Sequence, residues 1–573
     1  MGDPKQVNIN NKGVAQNTYD AIVVGTGISG GWAAKELCQK GLKTLVLERG
    51  RMVEHVKDYT TANMSPWEFP HHGQNPLKEL AANPISTIFH DEGAKPFVTS
   101  DEEYPYLQDK PGSFAWARGF QVGGRSLIWG RQVYRFSDLD FEANAKDGYG
   151  VDWPIRYKDI EPWYSYIENF IGVSGQAEGL PQLPDGNFLP PFEMNCMEQQ
   201  LKDTVKANYK DRVVTMGRVT NITKGWDGRG PCQARNLCSR GCPFGGYFSS
   251  NASTLPAAAA TGNMTLLPDS IVYEVIYDEV LQKATGVKVM NAITKEVTQY
   301  FAKIIFLNAS SLATAGILLR STSRRFPNGL GNDSGQLGHN IMDHFLMSGA
   351  RCETDEFADK YYSGRRPAGI YIPRFRNLSN QTARKDYVRG WGYQGAAERT
   401  HWEDRWKTIE GFGPDFKKQL TQPGNWTMWL GGWGETLPYF DNQVSLDKEQ
   451  KDKWGLPLLR INFSHRQNED IMRKDIEASA AEMMEKAGFK NVQTFDYRLP
   501  GGHGHEMGTA RMGRDPKTSV VNSNNQLHSV KNVFITDGSF MTSAGTANPS
   551  LTYMAFTARA CDFAVTELKK GNI

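Results

Sequence analysis

The 573-residue chain carries a formal net charge of +2, with 39% hydrophobic and 22% charged residues, an ordinary globular balance. It offers no basic footprint for nucleic acid and no apolar run long enough to span a membrane. The length exceeds what one simple core requires and predicts two or more interleaved domains.

Residues 1–18 are polar and lack the apolar stretch of a secretory signal. The simple expectation is a cytoplasmic protein; the alternative is export in folded form on a partner that carries the signal. Residues 19–24 (YDAIVV) read as a short buried parallel strand. Gly25-Thr-Gly27-Ile-Ser-Gly30 follows, then a segment of helical spacing, then TLVL (44–47) as a second strand ending at Glu48-Arg49. The glycines have distinct physical roles. Gly25 permits the tight turn, Gly27 lets backbone approach a pyrophosphate, and Gly30 lets helix and strand pack closely. The helix N-terminus offers free N–H groups to phosphate, and Glu48 can accept hydrogen bonds from a ribose diol. This predicts a dinucleotide site, without choosing FAD over NAD.

Further along, residues 67–84 and 180–191 are rich in Pro, Gly and aromatic residues and read as ordered excursions from a scaffold. A second Gly-Gly turn lies in RGFQVGGRSLIW (118–129). Cys232, Cys238 and Cys242, three of the seven cysteines, crowd into Cys-x5-Cys-x3-Cys-Pro. A disulfide would leave one thiol over, and zinc wants a fourth ligand where residues 231–246 contain no histidine. A [3Fe–4S] cluster needs only three thiolates and is favoured, with Cys196 as a distant fourth ligand for zinc, or inert thiols, as the alternatives. Cys38, Cys352 and Cys561 read as buried apolar residues. NWTMWLGGWGE (425–435), with Trp402, Trp406 and Trp454, supplies either core packing or aromatic faces for sugar rings; Glu435 and Gln443 are candidate hydroxyl contacts. Near the end, residues 531–539 read as a strand closing in Asp-Gly-Ser, and residues 548–568 as an amphipathic helix. A strand and helix N-terminus so late in the chain would return to the cofactor.

The order of these segments, together with residues 270–275, 304–321, 337–344 and 505–513, resembles the glucose–methanol–choline (GMC) oxidoreductase family over about residues 19–568. The resemblance implies an α/β fold: a Rossmann-like FAD-binding domain with an interleaved α+β substrate domain on an antiparallel sheet. The implied FAD-binding segments are 15–66, 108–148, 225–346 and 499–573, with the cysteine loop at 231–246; the substrate domain takes 67–107, 149–224 and 347–498. Besides the first glycine turn, Glu48 and Arg49, the implied cofactor contacts are Arg118, Gly123, Gly124, Ser126, Val272, Asp537, Gly538 and Thr552. The position where some members tether flavin through histidine corresponds to Ile128, so the FAD is expected to be non-covalent.

His505 opens His-Glu-Met-Gly-Thr on a glycine-rich loop and Asn548 opens Asn-Pro-Ser-Leu-Thr. A histidine there can take the proton of an alcohol while hydride leaves carbon for the flavin, and Asn548 can hold the same hydroxyl. Both positions match the family's catalytic pair; His503 reads as a supporting or structural residue. The cysteine spacing resembles cluster-bearing catalytic subunits of bacterial sugar dehydrogenases. That implies electrons leaving through the cluster to a cytochrome c-type acceptor, a small chaperone-like subunit, and a periplasmic location. The expected activity is oxidation of a secondary alcohol of a sugar or glycoside, favouring C3 of glucosides. A sugar oxidase, an anomeric-carbon dehydrogenase and a non-catalytic electron-relay subunit remain alternatives.

Overall fold

A computed structural model describes residues 17–82, 91–345, 348–360, 367–400, 402–406 and 409–573. Expectations touching residues 1–16, 83–90, 346–347, 361–366, 401 and 407–408 lie outside the described residues, including parts of the segments 67–107, 225–346 and 347–498.

One seven-stranded sheet is built around Thr18–Val24, whose last four residues are apolar and buried. It pairs in parallel with Thr44–Leu47 on one side and Val297–Leu307 on the other, in the registers Ala21↔Thr44 and Ile22↔Ile305. Met264–Leu267 and Val533–Ile535 extend this parallel part, while Lys283–Asn291 joins Val297–Leu307 antiparallel and Ser270–Asp278 pairs antiparallel with Lys283–Asn291 at the sheet edge. A run buried on both faces is the pattern of a parallel strand covered by helices. The helix Ile28–Gln39 starts directly after Gly27 and packs against the C-terminal helix Ser550–Lys570. Gly25 has a φ of +97°, and a Cβ there would stand 2.4 Å from Asn308 O, so the turn admits only glycine.

A second seven-stranded sheet is antiparallel throughout. Its long strands are Ser348–Thr354, Trp391–Arg399, Trp426–Glu435 and Lys490–Asp496. The helix Gln467–Lys486 lies on one face, burying Met472, Ile476, Ala480 and Met483 at helical spacing. Gly392 and Gln394 share a face of their strand, and Trp433 stands opposite Gly392, so Trp433 and Gln394 project the same way. The hairpin Gln443–Lys451/Pro457–Asn462 forms a small third sheet with Leu107–Gln108.

The apolar stretch 304–321 divides into the end of a strand at Leu307, a turn at Ser310 (φ +80°) and the helix Ser311–Arg320. One expected element differs in detail. The strand expected over 531–539 is confined to Val533–Ile535, because Asp537 caps the turn that follows, accepting from Ser539 N at 3.0 Å.

Candidate active site

A cavity of about 690 Å3 runs from the first glycine turn to His505 and Asn548. At the glycine end Gly25 and Gly27 line it, and a Cβ on Gly27 would meet nothing within 4 Å. Gly30 does not line it: a Cβ there would sit 2.0 Å from Gly25 O, so this glycine lets the helix close onto the turn. Glu48 lines the cavity, its Oε2 accepting from Thr26 N (3.1 Å) and Thr26 Oγ1 (2.5 Å) and its Oε1 from Gly50 N (3.0 Å). Burial raises its pKa, and these bonds oppose the rise. The Arg49 guanidinium lies over the rings of Phe120, Trp454 and Tyr104 at 4.7, 4.9 and 5.5 Å. Arg320 stands nearby on the same wall, and burial pushes both arginines down to about 10.

The second glycine turn rests on the first. Gly123, at φ +92°, donates its N–H to Thr26 Oγ1 at 2.9 Å, and a Cβ there would collide with Asn251 Oδ1. Gly124 and Ser126 line the cavity, whereas Gly123 is a structural position behind them. Arg118 lines the cavity and is fixed by Asp101, Tyr104 O and the Trp116 ring. Val272, Asp537 and Gly538 line it as well. Thr552 does not. It is fully buried on another face of its helix, its Oγ1 2.8 Å from the Tyr164 hydroxyl, while Ser550 and Tyr553 face the cavity.

At the far end His505, Asn548, Trp433 and Gln394 converge. The His505 ring stacks on Trp433 with centroids 5.0 Å apart, and its backbone N–H donates to Asp343 Oδ1 at 3.2 Å. Burial, followed by His344, His503 and Arg125, holds the His505 pKa well below its ordinary value. The ring is therefore neutral at working pH and able to accept a proton. Gln394 Nε2 donates to Asn548 Oδ1 at 2.6 Å, fixing the amide at the mouth of the C-terminal helix. His503 also lines the cavity, edge-on to Trp433, and burial pushes it down to about 3. Arg125 makes a bidentate pair with Glu506 at 2.7 and 3.2 Å beside these rings.

Sequence reading did not assign roles to Gln394, His344 or Arg125. His344 was readable as the end of Leu-Gly-His-Asn-Ile-Met-Asp-His, but its neighbour His505 lies 161 residues away. Two proposed hydroxyl contacts need correction. Glu435 is 1% exposed and does not line the cavity; Arg389 Nη1 donates to it at 2.6 Å in a network with Asp147 and Asn144. Gln443 begins the small-sheet hairpin opposite Asn462, also away from the cavity. Of the three tryptophans in 426–433, only Trp433 lines the cavity; Trp426 is buried in the core of the second sheet.

Cys232 and Cys238 line the cavity and, with Cys242, a recess of about 30 Å3 beside it. Gly246 N–H points at Cys242 Sγ (3.3 Å) and Asn221 Nδ2 at Cys232 Sγ (3.8 Å). Three neighbouring thiols, two of them with an N–H group directed at sulfur, are of the donor type that an iron–sulfur site uses. Yet among the described residues no three His, Cys, Asp or Glu side chains converge closely enough to hold a metal ion. The fit is thus one of donor type and location, not of ligating geometry. Cys38, Cys352 and Cys561 are buried, as expected, and no disulfide joins any of the seven. Among the described residues no helix is long and apolar enough to cross a membrane.

The sequence models described as GMC oxidoreductase match residues 19–346 and 438–557. The chain is 24% identical to the fructose dehydrogenase large subunit of Gluconobacter japonicus, over 96% of this chain and 98% of that one. It is 26% identical to the 2-methyl-1,2-propanediol dehydrogenase of Mycolicibacterium austroafricanum, over 95% and 94%. In fold it is similar to the formate oxidase of Aspergillus oryzae RIB40, with a TM-score of 0.61, 13% identity and coverage of 96% and 99%.

Proposed function

The chain belongs to the GMC oxidoreductase family, with the GMC fold and its FAD cofactor, and from that premise we propose that it is a dehydrogenase of a secondary alcohol in a sugar or glycoside. The observation that carries this reading is the convergence of His505, Asn548 and Trp433 at one end of a cavity whose other end is the glycine turn and Glu48. The cavity suits FAD on this chain's own residues. Gly27 leaves open space where a phosphate would approach, and three residues of the cavity lining, Arg49, Asn308 and Tyr553, each hold a buried polar atom (Nε, Oδ1 and Oη) without a protein partner. FAD, when bound, supplies the two-electron acceptor that takes hydride from the alcohol carbon. Ile128 lines the cavity where a tethering histidine would stand, which supports a non-covalent cofactor.

In the reaction, the substrate O–H and carbinol C–H bonds break and a C=O bond forms. His505 receives the hydroxyl proton at a ring nitrogen, Asn548 holds the same oxygen, and the Trp433 indole walls the site against water. C3 of a glucoside is the favoured position, by analogy at the level of the fold. The names of the dehydrogenase relatives support polyol or sugar alcohols as the substrate class.

The same proposal places a [3Fe–4S] cluster on Cys232, Cys238 and Cys242, which would supply a one-electron exit toward a cytochrome c-type protein. Its support is the position of two of the thiols on the cavity wall and the two N–H groups directed at sulfur. The subunit name of the fructose dehydrogenase relative supports a companion subunit; export of the folded pair to the periplasm belongs to the same proposal and rests on the polar first eighteen residues. Iron and acid-labile sulfide, measured against flavin on anaerobically purified protein, test the cluster: about three irons per flavin are expected, and none would remove it. If air then turned over sugar with stoichiometric peroxide, the enzyme would be an oxidase.

A further inference from the structure

His344 has a partner on each ring nitrogen. Its Nε2 is 2.8 Å from Gly545 O, and its Nδ1 is 2.9 Å from His505 Nδ1. A carbonyl oxygen can only accept, so Nε2 of His344 carries the hydrogen. A neutral imidazole has a single N–H, which leaves Nδ1 of His344 bare. The contact between the two rings then requires that Nδ1 of His505 donate. Nε2 of His505 is consequently the nitrogen with a free lone pair, and among the described residues it has no hydrogen-bond partner. We propose that His344 is a positioning residue: tethered to the Gly545 carbonyl, it locks His505 in its Nδ1–H tautomer and thereby leaves Nε2 as the proton acceptor.

This rests on the reading of His505 as the base, but the tautomer itself follows from the two contacts of His344. Neutrality of both rings is supported by their surroundings. Burial lowers the pKa of each; His344 also lowers that of His505, together with His503 and Arg125, while Glu435 and the carbonyls of Gly545 and Ala544 pull His344 the other way. Of the other acidic groups at this corner, Asp343 accepts from the His505 backbone N–H, with burial and Glu506 raising its pKa well above the ordinary carboxylate value, and Glu506 is paired with Arg125. The arrangement also holds the ring plane. His344 meets His505 edge-on at 85° while Trp433 stacks on it at 27°. With two packing partners and one directed hydrogen bond, the imidazole has little freedom to rotate away from the substrate oxygen.

A neutron structure of the deuterium-exchanged holoenzyme reads the tautomer directly. The expected result is a deuteron on Nε2 of His344 and on Nδ1 of His505, with none on Nε2 of His505. A deuteron on Nε2 of His505 instead would overturn the proposal. Kinetics provide a second readout, the rate of flavin bleaching by sugar without oxygen. His344→Leu leaves the His505 Nδ1–H buried without an acceptor, which favours the wrong tautomer and should slow bleaching about 10- to 100-fold with sugar affinity unchanged. His344→Asn returns an acceptor oxygen near the place of Nδ1 and should recover most of that rate. Wild-type bleaching in His344→Leu, or no recovery in a folded, flavin-loaded His344→Asn, would contradict the role. Wild-type bleaching in His505→Ala would instead overturn the base assignment, while the neutron map still decides the tautomer.

Discussion

His505 is surrounded by groups that disfavour its charge, and that sets a pH expectation. Burial and the neighbouring His344, His503 and Arg125 all lower its pKa. The active form of a base is deprotonated, so a lowered pKa moves the acidic limb of flavin reduction below the ordinary histidine value of about 6.5. Stopped-flow bleaching across pH 5–9 should be flat above neutrality and fall only on the acid side; a limb above pH 7 would contradict the assignment. Glu435 gives the opposite kind of test. Its carboxylate serves Arg389, so Glu435→Ala should leave sugar affinity unchanged yet destabilise the fold by about 3 kcal/mol, the lower end for a broken buried pair because Asp147 also holds Arg389. Melting midpoint and sugar KM measured together separate the two roles. His505 and Asn548 could be read from sequence because local motifs mark them. The Glu435 ion pair could not, since Arg389 sits 46 residues away and nothing in either local pattern announces the pairing.

At the scale of elements, the strand–turn–helix over residues 18–39 could be read almost residue by residue. A run of four buried apolar residues, three spaced glycines and a helical segment admit few other folds. Two of its glycines act differently, and substitution should tell them apart. A Cβ on Gly30 meets Gly25 O at 2.0 Å, so Gly30→Ala strains the protein itself and should lower the melting midpoint even without cofactor. A Cβ on Gly27 meets no protein atom within 4 Å, so Gly27→Ala should leave the flavin-free protein intact and weaken retention of FAD. Equal destabilisation of both flavin-free variants would contradict this division. Helix phase was harder to read. Thr552 was expected at the cofactor, but Ser550 and Tyr553 face the cavity while Thr552 turns to Tyr164. Assigning that face needed the rotation of the C-terminal helix, which its capping residues do not encode. The strand Trp426–Glu435 shows the same limit: its aromatic content was visible, but only the register with Trp391–Arg399 turns Trp433 to the cavity with Gln394.

Across the whole molecule, the two sheets divide the work. The parallel part of the first carries the first glycine turn and Glu48; the second supplies Trp433 and Gln394. The C-terminal segment closes the cavity between them with His505 and Asn548. This division was foreseeable in outline from the motif order, whereas the meeting of residues from distant segments depends on packing that no local pattern contains. The cysteine loop, on the cavity wall, gives a whole-molecule expectation. Cys238→Ser should keep sugar-driven flavin bleaching but lose turnover with a cytochrome c-type acceptor; unchanged turnover would mean electrons leave by another route. The central claim is that a carbohydrate alcohol bound at the end of this cavity gives its proton to an imidazole, with an amide holding its oxygen, while the flavin would supply the two-electron acceptor. Anaerobic mixing of the flavin-loaded protein with a panel of glucosides, followed by flavin absorbance, tests it most directly. The account predicts rapid bleaching in the wild type, slowed at least about 100-fold in His505→Ala; bleaching of equal speed in both, or none with any sugar, would contradict it.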